Sequence, residues 1–525
     1  MLYDRMRAIM EQKDGATPPA QGVPIVLTGP ATDMSDFKLN PFIAFTGGFP
    51  TAIIPRTLLR KYWYPRVPTN GDCTAKFAPY GMRKIEASLI REFGEQKVAV
   101  VHPYDLKTFV GPITKVIGIT SMEPTGTGFV SRTYTSLVGF GGEPVAAAEF
   151  RDLITNPILH KWGAKIVLGG AGSWQVHRAK LQKKYGIDCI VIGEGEKTAI
   201  EIFRKALNSE KLPRVVETES PNPEEICPIV NPSIFGTVEI TRGCGRGCKF
   251  CSPMMRRPHS FPLEQIMQEA ELNAKHGTRM IILASEDIFL YQCNTKFLPN
   301  RKAISKLINS IAAIPEVDFI QPAHAALAPV VCDPDMIEEI GPVLREKSYW
   351  VTNETRHSSV EVGMETGSVR LMKKYMPGKM FPYKPEEWQD VVTKALEIMN
   401  ENYIWPLATL IVGLPGETEA DTIATLELVD KLKHNKLFYV PLLFTSEDEC
   451  VLREARHMDL KHLTSLQWEL LATCWRRNIE IFAEGSKWPV RFVTMLAYVL
   501  YYRWKHGKKS LQPLMKLSGI NPNYP

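Results

Sequence analysis

Between residues 97 and 196 the apolar positions come in four short bursts: "KVAVVHP" (97–103), "KVIGITS" (115–121), "AKIVLGG" (164–170) and "DCIVIGEGE" (188–196). Each is a β-branched run that ends in Gly, Ser or Pro, with room for helices between the later ones. Such runs predict strands of a parallel sheet buried on both faces, a Rossmann-like α/β domain over 96–215. Sheets of this kind bind ligands at the carboxyl ends of their strands. Here those ends carry Thr120, Ser121, Gly169, Gly170, Gly172, Gly193, Glu194 and Gly195.

Residues 1–95 are rich in Pro and Gly, with "PFIAFTGGFPTAIIP" as the most apolar piece, and read as an N-terminal extension without legible chemistry. The segment 216–235, which holds "ESPNPEEICPIVNPS", reads as a linker. A second α/β series then runs from 236 to 443. It predicts strands at "GTVEIT" (236–241), "RMIILASED" (279–287), "VDFIQPAH" (317–324), "SSVEVGME" (358–365) and "LATLIVGLPG" (407–416). The helix "PLEQIMQEAELNAKH" (262–276) has Pro in its first turn, Gly277 just past its end and apolar residues at helical spacing. From residue 444 the pattern turns helical to the end, most clearly in "LTSLQWELLATCWRRNIEIF" (463–482).

Composition narrows the class. The chain has 525 residues, 44% hydrophobic and 23% charged, which is globular. A net charge of +6 makes no case for nucleic acid or an anionic membrane. The N-terminus lacks a signal-peptide core. The apolar run "FVTMLAYVLYY" (492–502) is too short to span a bilayer and reads as a buried helix or, with its basic flanks, an interfacial one. Seven of the ten cysteines are scattered, which indicates a reducing, cytoplasmic protein.

The other three stand together in "TRGCGRGCKFC", as Cys244, Cys248 and Cys251. Structural zinc wants four ligands. Three thiolates suit a 4Fe–4S cluster with one iron left open. Glycine lets the backbone wrap the sulfurs, and Arg246 or Lys249 can offset the cluster's negative charge. Zinc, or three unrelated buried thiols, are the alternatives.

"CGRGCKFC", with Phe250 before the last Cys, resembles the C-x-x-x-C-x-x-C signature of the radical S-adenosylmethionine (SAM) enzymes. "VLGGAG" (167–172), "VIGEGE" (191–196), "VEVGMETGS" (360–368) and "LIVGLPGETEADT" (410–422) extend the resemblance to the subfamily with an N-terminal cobalamin-binding domain. It implies a Rossmann-like cobalamin-binding domain, a partial (β/α) radical SAM barrel and a helical C-terminal region. It also implies three cofactors: a 4Fe–4S cluster on Cys244, Cys248 and Cys251, SAM, and cobalamin. SAM would lie near Phe250, Ser285, Glu286, Asp287, Glu365, Ser368, Ile411 and Leu414, while Glu417 reads rather as part of a helix start. Cobalamin would lie on the glycine-rich strand ends listed first. Many cobalamin proteins place a His in a D-x-H-x-x-G loop after the first strand. "HPYDLKTFVGP" has Asp105, but Lys107 and Val110 replace the His and Gly, so no His ligand to cobalt is expected, and His102 reads as structural.

The family's chemistry implies SAM cleavage to a 5′-deoxyadenosyl radical, hydrogen abstraction from an unactivated carbon and methyl donation by methylcobalamin, fed by an external low-potential electron donor. No acid–base pair is needed for the abstraction, and no catalytic side chain is nominated. The expected substrate is a protein or peptide side chain, such as the glutamine of methyl-coenzyme M reductase. Methylation or cyclisation of a lipid or pigment is the alternative. Methylthiotransferases carry three further cysteines in their N-terminal domain, where this chain offers only Cys73 and Cys189, so that class is set aside.

Overall fold

The computed structural model describes residues 21–52, 55–139, 142–252, 257–447 and 450–482, with Leu500, Arg503, Trp504 and Gly507. The run 492–502 therefore lies outside the described residues, Leu500 apart. The chain divides into two compact units. The first comprises residues up to 131, 142–238 and 261–281; the second comprises 132–141, 239–260 and 282 onward.

The first unit is built on a six-stranded sheet. Its strands are β1 (Ile25–Thr28), β2 (Val98–Val100), β3 (Val116–Thr120), β4 (Lys165–Gly169), β5 (Cys189–Ile192) and β6 (Val215–Glu217), in the order β2-β1-β3-β4-β5-β6. Every pairing is parallel. Alternate residues feed two cores, as a doubly covered sheet requires. Ile25, Leu27, Val116, Val167, Cys189 and Val191 enter one. Val26, Ile117, Ile119, Ile166, Leu168, Ile190 and Ile192 enter the other.

Two expectations change here. The domain does not begin at residue 96, because β1 belongs to the supposed extension and lies between β2 and β3. Only four residues long and set between Pro24 and Pro30, it has too short an apolar run to stand out. The loop "HPYDLKTFVGP" also does not follow the first strand; it follows β2, an edge strand. The loop that does follow β1, Gly29 to Asp36, contains no His either.

The second unit carries the barrel strands. Val238–Glu239, Met280–Ala284 and Phe319–Pro322 form a three-stranded sheet, and the division between units passes through the first two of these strands. The helix Leu263–Lys275, expected in the barrel, falls in the first unit. His324–Ala325, Glu361–Glu365, Leu407–Val412 and Phe438–Leu443 form a parallel four-stranded sheet. Ala323 joins the two sheets. Its N–H donates to the Leu283 carbonyl at 3.1 Å, and its own carbonyl accepts from the Glu361 N–H at 3.0 Å.

The last strand would leave an open edge, which is a pairing hazard. The helix Ser465–Phe482 supplies a partner. Asn478 accepts from the Tyr439 N–H at 2.7 Å and donates to the Tyr439 carbonyl at 2.8 Å. This helix is the described part of the expected C-terminal helical region.

Candidate active site

The cysteine loop leaves the first barrel strand through three glycines in the left-handed region, Gly243, Gly245 and Gly247, at φ 84°, 70° and 78°. Residues with a Cβ resist that conformation. A Cβ at Gly247 would meet nothing within 4 Å, so the loop tip is open. The three thiols lie close enough to feel one another. Burial raises the Cys244 thiol and pushes Cys248 up to about 11. Burial, reinforced by negative charge on Cys248 and Cys244, raises Cys251 further. Bound iron reverses that preference by holding thiolates directly. Three thiols on one glycine-wrapped loop, with cations beside them, fit a cluster that leaves one iron open.

The surrounding loops grip this segment. The Lys249 N–H donates to the Tyr375 carbonyl at 2.8 Å, and the Lys249 carbonyl accepts from the Leu452 N–H at 3.0 Å. Gly378 packs so closely that a Cβ there would come within 2.2 Å of the Arg246 carbonyl.

The structure sorts the expected SAM residues. Asp287 is buried and spoken for. It pairs with Arg246 at 3.2 Å and accepts from the N–H groups of Phe289 and Ala326 at 3.1 and 3.0 Å. Asp287 therefore anchors the cysteine loop, and Arg246 is occupied by it. Ser285 accepts from the Asp287 N–H at 3.0 Å. Glu286 is the half-buried acid of the trio. Phe250 is half-buried beside Cys251, and Ile411 and Leu414 lie on and just after the strand Leu407–Val412.

Ser368 is also committed. It accepts from the Leu371 N–H at 3.2 Å as a helix N-cap and donates to Asp421 at 2.5 Å. Glu417 accepts from the N–H groups of Gly413 and Leu414 at 2.6 and 3.0 Å, which makes it a loop brace.

Glu365 differs from these. It ends its strand at φ 61°, just after a register irregularity between Gly363 and Glu365. A non-glycine residue held there stores strain that marks many functional sites. Its carboxylate pairs with Lys379 Nζ at 2.7 Å. Lys379 was absent from the sequence expectations; it comes from "MPGKM", whose only signal is a lone Lys in an apolar stretch. His324 is a second unforeseen group, with Nδ1 3.2 Å from the Ser285 carbonyl and Nε2 3.4 Å from Glu361.

In the first unit the strand ends named from the sequence lie side by side after β3, β4 and β5. The loops are knitted through backbone: Ser121 N–H donates to the Gly169 carbonyl, and Gly172 N–H donates to the Ser121 carbonyl at 2.9 Å. Gly170 and Gly172 are explained by that packing, because a Cβ would come within 2.3 Å of Thr120 Oγ1 or 2.2 Å of the Met122 carbonyl. A Cβ at Gly193 would reach Thr218 Oγ1 at 2.5 Å. Gly169 faces open space, with nothing within 4 Å of a Cβ. Glu194 accepts from Ser220 Oγ at 2.8 Å.

Two buried polar atoms near the carboxyl ends of the first two strands lack a hydrogen-bond partner, Thr28 Oγ1 and His102 Nε2. Asp33, in the loop after β1, accepts from the Met122 N–H at 3.0 Å, and burial pushes it up to about 6. The order β2-β1-β3 puts the switch point of the sheet at these loops, where open α/β sheets take ligands. Bare backbone at Gly169, at the end of β4, and orphaned polar atoms at the ends of β1 and β2 fit a large cofactor along this edge of the sheet.

Comparison with known proteins defines the class. Residues 238–429 match the Radical SAM superfamily model, so this stretch is a radical SAM domain and the protein is an enzyme of the chemistry that uses a 4Fe–4S cluster and SAM. Among curated proteins, tRNA-2-methylthio-N(6)-dimethylallyladenosine synthase of Fusobacterium nucleatum is 27% identical over 340 residues, 63% of this chain and 71% of the relative. The ribosomal protein uS12 methylthiotransferase RimO of Flavobacterium johnsoniae is 25% identical over 210 residues; the match spans 39% of this chain and 43% of that relative's length.

Solved structures of the radical SAM methyltransferase TsrM from Kitasatospora setae share the fold. One, with tryptophan substrate and a SAM analog bound, covers 79% of this chain and 72% of its own, at TM-score 0.53 and 15% identity. Another, with cobalamin and a 4Fe-4S cluster bound, covers 82% and 74%, at TM-score 0.53 and 14% identity.

Proposed function

We propose that the protein is a cobalamin-dependent radical SAM C-methyltransferase acting on an unactivated carbon of a protein or peptide residue. The observation that carries this is the pairing, in one chain, of a three-cysteine loop in a radical SAM domain with a parallel sheet whose strand β4 ends in bare backbone at Gly169. TsrM, of similar fold, holds both cobalamin and a 4Fe-4S cluster.

Cys244, Cys248 and Cys251 would hold the cluster. Phe250, Glu286, Glu365, Ile411 and Leu414 would border SAM. Thr120, Ser121, Gly169, Gly193, Glu194 and Gly195 would border cobalamin. When bound, these groups supply a carbon-centred radical and a transferable methyl group. The chain's own share is to hold the cluster loop through Arg246 and Asp287, to place Glu365 at a strained strand end, and to keep bare backbone at Gly169.

A protein substrate agrees with a relative named for ribosomal protein uS12; another is named for a tRNA base. The glutamine of methyl-coenzyme M reductase gains no support from these relatives, and a lipid or pigment remains the alternative substrate. A reducing cytoplasm is the setting this reading takes. Among the described residues no helix is long and apolar enough to cross a membrane.

Methylthio transfer is the second reading, and the curated relatives favour it. The cysteines weigh against it. Cys189 is fully buried in one core of the first unit's sheet, while Cys73 packs against the other. They do not converge on a second cluster.

The test is anaerobic reconstitution of the full chain with iron, sulfide and hydroxocobalamin, followed by desalting, metal count and an optical spectrum. About four irons and about one corrin per chain support the proposal. About eight irons without corrin would support the methylthiotransferase instead. With substrate in hand, S-adenosylhomocysteine formed alongside 5′-deoxyadenosine marks methylation, and 5′-deoxyadenosine alone marks another radical reaction.

A further inference from the structure

Lys379 is the least expected charge in the second unit. Its side chain is only 15% exposed, and its Nζ lies 2.7 Å from Glu365 Oε1. Room for it is cut into the neighbouring strand: a Cβ at Gly363 would fall 2.5 Å from Nζ and 2.1 Å from Glu365 Oε1. A side chain at 363 would force the pair to shift.

The main chain holds Lys379 from the other side. Its carbonyl accepts from Arg246 Nη1 at 3.3 Å, and Gly378 is pressed against the Arg246 carbonyl. A buried ammonium is thus fastened to the cysteine loop through main chain and to a strained strand end through its head. The Glu365 carboxylate at 2.7 Å offsets the cost of burying the ammonium. Arg246, on the cysteine loop, is neutralised by Asp287.

We propose that Lys379 and Glu365 form a buried dipole that sets the reduction potential of the cluster, with Lys379 the positioning charge that favours the reduced state. Reduction adds one electron, and a fixed cation nearby stabilises the added negative charge; cluster potentials follow local net charge and burial. Glu365 opposes it and, through the ion pair, keeps the ammonium in place. This inference rests on the cluster reading given under Proposed function and goes beyond it by assigning the electrostatic control.

The experiment is a dye-mediated redox titration of the reconstituted full chain, followed by electron paramagnetic resonance of the reduced cluster, on wild type, K379M, K379R and E365Q. Iron is counted for each. At one fixed solution potential, K379M should lower the ratio of reduced to oxidised cluster by about tenfold, a 59 mV shift for one electron. E365Q should shift the ratio upward, and K379R should stay close to wild type.

A merely structural role would change iron content and would not produce shifts of opposite sign. If K379M cannot hold iron, an upward shift in E365Q with K379R unchanged still supports the proposal. Shifts in the same direction for K379M and E365Q, or no shift in iron-replete K379M or E365Q, would overturn it. A wild-type chain that takes up no cluster at all would overturn the functional reading first, and this inference with it.

Discussion

The carboxyl ends of the two sets of strands are built from opposite materials. In the first unit the ends of β3 and β4 are backbone and glycine: Gly170 and Gly172 close the loops there with main-chain bonds, and Gly169 leaves space. In the barrel they are charges assembled from distant stretches: Arg246 with Asp287, and Lys379 with Glu365. Bare backbone can admit a large ligand without paying to desolvate a charge. Paired buried charges instead set a local field, and each member depends on its partner. The first unit is therefore suited to holding a bulky group, and the second to managing charge at a cluster.

The sharpest test of that contrast removes a thiol. C248A should lose the cluster, with iron falling from about four per chain to background and 5′-deoxyadenosine formation from SAM going with it. Corrin uptake should survive, because the first unit does not depend on that loop. Loss of corrin from a folded C248A would break the comparison.

Next come the buried ion pairs. D287N leaves Arg246 buried without a counter-charge and should cost about 3–5 kcal/mol in urea denaturation, with iron loss. E269Q, which strips the partner from buried Lys84 in the first unit, should cost a similar amount, and in folded protein the irons should stay. An iron-replete D287N would show that Asp287 does not anchor the cysteine loop.

Glycine substitutions probe the first unit more finely. G172A must push its methyl against the Met122 carbonyl, at a cost of about 1–3 kcal/mol. G169A meets nothing and should leave stability within about 0.5 kcal/mol of wild type. Weaker corrin retention after desalting in G169A, with iron unchanged, would mark Gly169 as the contact surface. Full retention would move the cofactor elsewhere.

The smallest effect is a pH dependence. His102 is buried, and desolvation followed by the nearby Arg66 charge lowers its pKa to about 3. Between that value and the unfolded value near 6.5 the unfolded chain binds the extra proton, so stability falls as pH drops through this window. The loss should reach about 2 kcal/mol at pH 5. H102Q should be less sensitive between pH 7.5 and 5 by that amount in denaturant titrations; an equal slope would mean that His102 is protonated in the fold.

Much of this could be read in advance, for physical reasons. Three cysteines spaced for one cluster lie within eight residues, so their chemistry is local and needs no fold to reveal it. The strands β3, β4 and β5 are continuous apolar runs because both faces of a parallel sheet are buried, and their ends were visible as glycines. What stayed hidden is long-range. β1 is four residues between prolines, and only its pairing with β2 and β3 makes it central. The ion pair of Asp287 with Arg246 and the hydrogen bond of Ser368 to Asp421 join residues far apart in the sequence. Lys379 carries no motif; it matters because the fold brings "MPGKM" against Gly363 and the cysteine loop. Local spacing can name a cluster, but the charges around it are chosen by contacts between residues far apart in the chain, and those exist only once the barrel has closed around them.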